Sequence, residues 1–356
     1  MNRTGLTLDL GPDSYEICLE RGCLARAGEL LNLRRRVFIV TDDGVPPVYA
    51  ETVAAQAAEA VVECLPQGEE SKNFDSFRRL LRGMLAFGMG RGDCAVAVGG
   101  GVVGDLTGFA AACFMRGIDF YNIPTTVLSQ VDSSIGGKTA IDLDGIKNAV
   151  GAFHQPRGVL ADPETLCTLP RRQVSNGLAE AVKMALCFDA EGFRRFEELD
   201  SDSLFASLEA RQPDPVLERI ISDALRTKKR VVEEDVKEQG LRRVLNFGHT
   251  LGHGIESLCA ENGLLHGECV ALGMLPMCSA PVRGRLLPVL EKLGLPTSCN
   301  ADPHRVMEAV LHDKKQFGGR IRTILVDEPG SFTEAVLSPE ELRNRYISFF
   351  WASQQI

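Results

Sequence analysis

Along the first 160 residues, short apolar runs alternate with segments whose apolar residues recur at helical spacing. Residues 37–40 form a run closed by the turn signal Thr41-Asp42-Asp43-Gly44, and a helix is expected from about Pro47. Residues 60–64 read as a second strand and residues 74–87 as a helix. The unbroken apolar run 94–98 suits a strand covered on both faces of a parallel sheet. Residues 5–10 and 14–19 suit an antiparallel hairpin at the sheet edge. This rhythm predicts a doubly wound α/β domain with its ligand at the carboxyl ends of the strands. After about Asp162, helix patterns take over, at 173–188, 190–199, 215–236, around His249, 267–285 and 303–312, with one short β signal at 320–326. The expected division is an α/β domain over residues 1–161 and a mostly α-helical domain over residues 162–356.

Composition narrows the function. The 356 residues carry a net charge of −9, which argues against nucleic acid or an anionic membrane as the main partner. No signal-like N-terminal pattern and no apolar stretch of membrane-spanning length is present, so a cytoplasmic enzyme is expected. Eleven cysteines without a CxxC pair read as reduced, small hydrophobic residues, not as a disulfide framework or a thiolate metal site.

Six stretches carry candidate chemistry. Gly99-Gly100-Gly101-Val102-Val103-Gly104-Asp105 sits between the 94–98 strand and a helix pattern, where glycines let backbone N–H groups approach a pyrophosphate. Asp105 is expected in the first helical turn. Gln67-Gly68-Glu69-Glu70-Ser71-Lys72 follows the 60–64 strand, and a carboxylate there could accept ribose hydrogen bonds; an exposed loop would look the same. Thr125-Thr126 can cap the next helix. Asp132, Lys138, Lys147 and Asn148 form a dense polar cluster suited to an anionic, hydroxyl-rich ligand, although Gly136-Gly137-Lys138-Thr139 lacks the upstream glycine of a P-loop. Glu180 and Lys183 lie three apart on an otherwise small and apolar helix, which suggests burial and therefore a metal or ligand. His249 and His253, four apart, project from one helical face, and Leu265-His266-Gly267-Glu268 adds a third of the six histidines. Glu180 with two histidines would make a mixed oxygen and nitrogen set suited to catalytic zinc. Arg242, Asn246 and His249 are expected on one helical face, with a guanidinium beside the metal.

Together GGGVVGDLTGF, MRGIDFYNIPTT, SQVDSSIGGKT, KNAVGAFHQP, TLPRRQVSNGLAEAVK, LNFGHTLGH and LHGE resemble the 3-dehydroquinate synthase family of sugar phosphate cyclases, from about Gly68 to Arg322. The resemblance implies a Rossmann-like, dinucleotide-binding N-terminal domain, a helical metal- and substrate-binding C-terminal domain, and a homodimer. It implies NAD and zinc, or cobalt, as cofactors. By motif, the metal ligands become Glu180, His249 and His266, and His253 passes to substrate or acid–base work. Asp42, Gly68, Glu69, Lys72, Gly101, Val102, Val103, Gly104, Asp105, Thr125, Thr126, Lys138, Lys147 and Thr168 match NAD-contacting positions. Asp132, Lys138, Asn148, Lys183, Lys228, Arg242, Asn246, His253 and Lys314 or Lys315 match substrate positions. Arg116 matches a phosphate-binding arginine supplied by the partner subunit, and Glu238 an acidic active-site residue. One departure is Asp42-Asp43-Gly44-Val45, where the family often has Asp-x-Asn-Val for adenine-side contacts.

The implied reaction is a lyase step of the shikimate pathway, leading to chorismate and aromatic amino acids. 3-Deoxy-D-arabino-heptulosonate 7-phosphate becomes 3-dehydroquinate and phosphate through transient oxidation at carbon 5, phosphate elimination, re-reduction, ring opening and aldol closure. The alternatives are another sugar phosphate cyclase and a polyol or glycerol dehydrogenase of the same fold. The 147–148 pair, Arg242 and the Asp313-Lys314-Lys315 run favour a carboxylate-bearing substrate.

Overall fold

The computed structural model describes residues 4–258, 263–313 and 320–351. The chain divides into two compact units, one of Met1–Pro170 with Leu204–Lys237 and one of Arg171–Ser203 with Glu238–Ile356. Sequence reading places a single boundary at 161/162. In the structure, residues 204–237 return to the α/β unit instead, a long-range regrouping that helical periodicity alone cannot reveal.

The first unit is built on a seven-stranded sheet. Its strands are β1 (Thr4–Leu8), β2 (Tyr15–Leu19), β3 (Arg36–Asp42), β4 (Glu59–Leu65), β5 (Cys94–Gly99), β6 (Asp119–Pro124) and a later strand, Gly158–Ala161. Between β6 and that last strand the chain makes a separate antiparallel hairpin of β7 (Lys138–Leu143) and β8 (Ile146–Phe153), so Gly158–Ala161 is β9. The sheet order is β1-β2-β9-β6-β5-β3-β4. Only β1 runs antiparallel, in the expected edge hairpin with β2. Every residue of β5 is buried, as its unbroken apolar run requires. Strand alternation then sorts β3 between two cores. Phe38 and Val40 point to the face covered by the helices Phe74–Ala86 and Gly101–Cys113. Val37 and Ile39 point to the face carrying Ala50 and Val53 of the helix Pro47–Ala54. Sequence reading does not anticipate β7, β8 or β9, and takes the β7–β8 stretch as a polar cluster: β8 is largely exposed, and the buried part of β7 is only Thr139–Ile141.

The second unit is organised on the helix Arg171–Phe188, which is buried continuously from Val174 to Cys187. Against it lies the helix His266–Met274, and this in turn packs on the helix His249–Glu256. Contact there is backbone to backbone: a Cβ at Gly273 would stand 2.0 Å from Gly248 O. The helix expected over 267–285 is broken. It stops at Met274, turns through Leu275–Met277 at Pro276, and resumes at Ala280–Lys292. The expected β signal becomes β10 (Ile321–Leu325), paired antiparallel with β11 (Thr333–Leu337), a strand not anticipated. The helix Pro339–Phe350, also not anticipated, opens on a Ser338 and Glu341 capping box. Ten cysteines are free among the described residues and seven of them are buried, consistent with small hydrophobic use; Cys259 lies outside the described residues.

Candidate active site

At the carboxyl ends of the parallel strands, the first unit gathers the proposed dinucleotide positions. β3 ends at Asp42, β4 runs into Gly68-Glu69 and Lys72, and β6 is followed by Thr125 and Thr126. β5 runs through Gly99 into a helix that starts at Gly101 and carries Val102, Val103, Gly104 and Asp105. That turn is a close-approach cradle: added Cβ atoms would sit 3.3 Å from Thr126 at Gly100 and 3.0 Å from Ser133 Oγ at Gly101. The helix start has no side-chain cap, and the first N–H groups of a helix lack intrahelical partners, which suits an anionic group. Asp105 lies past the first turn, contrary to expectation. Its carboxylate is 2.6 Å from Nζ of the buried Lys72. Burial works against the Lys72 charge, but Asp105 and Glu69 outweigh it and hold its pKa above the ordinary lysine value.

Lys72 also donates to Asn148 Oδ1, while Asn148 N donates to Asp142 Oδ1 at 2.7 Å. Asn148 is held at φ 54°, and Arg116 at φ 69° between Met115 at φ 50° and Gly117 at φ 114°. Such left-handed, non-glycine positions store strain and cluster at functional sites. Lys138 opens β7 and Lys147 lies in β8, both exposed. Thr168 ends the short helix Pro163–Thr168, with Oγ1 3.2 Å from the Tyr49 hydroxyl. The helix Pro215–Glu234 delivers the buried Lys228 onto Asp132 in an ion pair within the same unit. At Gly44, the space a side chain would take is filled by the Gln67 carboxamide, whose atoms lie 2.3–2.6 Å from an added Cβ.

The second unit holds the histidine cluster. Glu180 from the helix Arg171–Phe188, His249 from the start of its own helix, and His266 from the start of another each offer a ligand atom, all within 4.8 Å of one another. His249 Nε2 is 3.6 Å and His266 Nε2 3.2 Å from Glu180 Oε1. Lys183 Nζ pairs with the other oxygen of Glu180 at 2.5 Å, and both side chains are only 1% exposed. The burial expected for this pair is thus observed.

The cluster is electrostatically tense. Burial, followed by the Lys183 charge, drives the His249 pKa well below that of free histidine. Burial opposes charge on His266 as well, but hydrogen bonds to Glu180 and Glu256 push its pKa up to about 10. Two imidazole nitrogens and one carboxylate oxygen, three donors in all, suit a catalytic divalent metal with an open coordination position.

Around this cluster the expected single face of Arg242, Asn246 and His249 does not exist. Leu241–Asn246 is a 3₁₀ turn, Gly248 takes φ 77°, and a new helix begins at His249. Only glycine fits at 248, since a Cβ would meet Val270 O at 2.8 Å in a left-handed conformation. Arg242 is nevertheless buried at 1% exposure, and Asn246 Nδ2 donates to Glu238 Oε1 at 2.6 Å, with Glu238 at φ 59°. His253 shares the helix of His249, with ring centroids 5.3 Å apart, and is exposed. Lys314 and Lys315 lie outside the described residues.

Residues overlooked in the sequence support the cluster from behind. His266 Nδ1 lies 3.2 and 3.3 Å from the two oxygens of buried Glu256. Arg172 donates through Nε and Nη2 to Glu268, whose Oε2 also accepts from Leu265 N at 2.8 Å and so caps the helix of His266. Asn176 Oδ1 accepts from Gly267 N at 2.6 Å. Glu256 was findable, because it follows His249 by seven residues and so shares its helical face.

Family models described as 3-dehydroquinate synthase N-terminal and C-terminal match residues 62–176 and 177–316. The chain is 42% identical over 354 residues to the 3-dehydroquinate synthase of Pelobacter propionicus, covering 95% of this chain and 97% of the other. Among solved structures, 2-deoxy-scyllo-inosose synthase complexed with carbaglucose-6-phosphate, NAD⁺ and Co²⁺ superposes with a TM-score of 0.85. It is 25% identical, with 98% of this chain and 100% of that one covered. The 2-epi-5-epi-valiolone synthase of Streptomyces hygroscopicus subsp. jinggangensis 5008, solved with NAD⁺ and Zn²⁺, gives 0.85 at 28% identity, covering 96% and 97%. These likenesses span both units, and the chain belongs to the 3-dehydroquinate synthase family of enzymes.

Proposed function

We propose that the chain converts 3-deoxy-D-arabino-heptulosonate 7-phosphate to 3-dehydroquinate and phosphate, with NAD and a divalent metal, zinc or cobalt, as cofactors. The observation that carries this reading is the convergence of Glu180, His249 and His266 from three helices onto one point. The Gly99–Gly101 cradle and the Lys72–Asp105 pair are its counterpart for the dinucleotide. When bound, the metal supplies a Lewis acid to the substrate hydroxyl, and NAD a hydride acceptor that later returns the hydride.

The chain's own residues then divide the work. Glu180, His249 and His266 hold the metal, and the Lys183 charge limits the negative charge on Glu180. In the helical unit Lys183, Arg242 and Asn246 serve the anionic, hydroxyl-rich substrate, with Glu238 fixing Asn246; in the α/β unit the substrate position is Lys228, fixed by Asp132. His253, exposed beside the metal ligands, contacts substrate and can hold or pass a proton at an imidazole nitrogen. The departing phosphate takes the carbon-bound proton itself, so no separate protein base is needed.

The Gly44 departure fits the same reading, with the Gln67 carboxamide standing in the space of the missing side chain. We also place the enzyme in the cytoplasm as a homodimer, in which Arg116 of each copy binds the substrate phosphate of the other. Its strained, exposed loop supports that role. Among the described residues, no helix is long and apolar enough to cross a membrane.

Purified protein given the metal, catalytic NAD⁺ and the heptulosonate phosphate should release phosphate without net NADH. Stoichiometric NADH with no phosphate would favour a polyol dehydrogenase. Turnover of a sedoheptulose or glucose phosphate, but not of the heptulosonate phosphate, would favour a sister cyclase.

A further inference from the structure

Both metal-facing imidazoles are engaged from behind, but by different acceptors. His249 Nδ1 lies 3.1 Å from the carbonyl of Phe247, a backbone group set by the turn before the helix. His266 Nδ1 instead faces a carboxylate, with Glu256 oxygens at 3.2 and 3.3 Å. In each ring the opposite nitrogen, Nε2, points to Glu180 Oε1. The two rings therefore present the same geometry, with Nδ1 tied to a fixed acceptor and Nε2 turned toward the shared carboxylate.

Glu256 is a costly group to place here. Its residue is 6% exposed, and a buried carboxylate without a compensating donor is strongly unfavourable. It ends the helix that His249 begins, so one rigid element carries one metal ligand and the group that orients another.

We propose that Glu256 is a positioning residue for the metal centre: by accepting the Nδ1–H of His266 it fixes the ring tautomer and aims Nε2 at the position shared with Glu180 and His249. This rests on the metal reading given above and deepens it. The carboxylate also makes the imidazole more electron-rich, strengthening the bond Nε2 forms to a cation. A competing arrangement exists, because His253, Glu256 and His266 also bring ligand atoms within 4.8 Å of one another. There Glu256 would bind the cation directly, together with His253 and His266.

The test is Co²⁺ binding to metal-stripped protein, followed by visible absorption and by equilibrium affinity, in wild type, Glu256→Gln and Glu256→Ala. Loss of an outer carboxylate partner costs about 10–100-fold in metal affinity. Glu256→Ala should weaken Co²⁺ by that factor while one ion still binds at saturation with unshifted absorption bands. Glu256→Gln keeps an acceptor oxygen for Nδ1–H and should recover part of the loss, with the metal-free protein melting as wild type does. Unchanged affinity in Glu256→Ala and Glu256→Gln overturns the proposal. So does a changed band pattern in Glu256→Gln, which would make Glu256 a ligand. Wild type that binds no divalent metal would overturn the metal reading itself, a result distinct from both.

Discussion

Lys183 Nζ lies 2.5 Å from Glu180 Oε2 in surroundings that leave each side chain 1% exposed. The pair is more than a structural ion pair, because the other oxygen of the same carboxylate faces both His249 and His266. Glu180 is thus shared between an ammonium and the position a cation would take.

Replacing Lys183 by Met should therefore act in opposite directions on stability and on metal binding. In metal-free protein the buried carboxylate loses its ammonium partner and keeps the His266 imidazolium beside it, so the cost should stay below the roughly 3–5 kcal/mol of breaking an isolated buried pair. A bound divalent ion restores a counter-charge, so much of the loss should return on adding metal, and the metal should bind more tightly than to wild type. Urea unfolding with and without metal checks this. An equal deficit in both conditions would show that the metal does not use Glu180.

Removing the proposed ligand and the proposed substrate histidine should separate two phenotypes. Glu180→Ala should lose both metal and turnover. His253→Ala should retain one metal per chain after dialysis yet lose about 10²–10⁴-fold in turnover, the usual span for a positioned acid–base group. A metal-free His253→Ala protein would move the ligand set toward the second triad.

Much of this site was legible because its chemistry is local. The Gly99–Asp105 turn, the Glu180 and Lys183 spacing and the His249 and His253 pair each lie within one or two helical turns. What the spacing could not supply was partnership across the chain. His249 and His253 are alike in sequence, and both come near His266; what separates them is the carboxylate each shares with it, Glu180 for His249 and Glu256 for His253. Arg242 seemed to share a helix with His249 because periodicity carries no record of a left-handed glycine between them. The return of residues 204–237 to the α/β unit, which sets Lys228 on Asp132, is likewise invisible to a local reading. The exposed strand β8 lacks the apolar run by which a buried strand announces itself, and β7 buries only three residues.

At the opposite end of the sheet, Asp119 accepts from Arg35 Nη1 at 2.7 Å and from Arg157 Nε at 2.9 Å. Burial alone would raise its pKa, but the two guanidinium groups outweigh it and hold the carboxyl below the usual value. The stabilisation is therefore fully present above the unfolded carboxylate pKa of about 3.9 and is lost as pH falls through the lower folded value. Asp119→Asn should lower stability by about 1 kcal/mol at neutral pH, a figure reduced for partial solvent screening, and by nearly nothing in strong acid. Urea midpoints across that range decide it; a deficit that persists in acid would assign the effect to packing.

Two glycines of the second unit should respond to the same substitution with opposite sign. A Cβ at Gly267 would stand 1.9 Å from Asn176 O and 2.8 Å from Asn176 C, backbone atoms that cannot swing aside. Gly267→Ala must push the helix His266–Met274 off the helix Arg171–Phe188, at a cost of about 1–3 kcal/mol or more. Because His266 starts the displaced helix and Glu180 lies on the other, metal affinity should fall with stability. Gly284 lies inside the helix Ala280–Lys292 with nothing within 4 Å of its added Cβ. Gly284→Ala should raise stability by roughly 0.5–1 kcal/mol, through helix propensity and a less flexible unfolded chain, and leave metal affinity unchanged. Melting curves and Co²⁺ titration on the two variants test both halves. A Gly267→Ala protein with wild-type affinity would mean that the close helix contact does not set the position of His266.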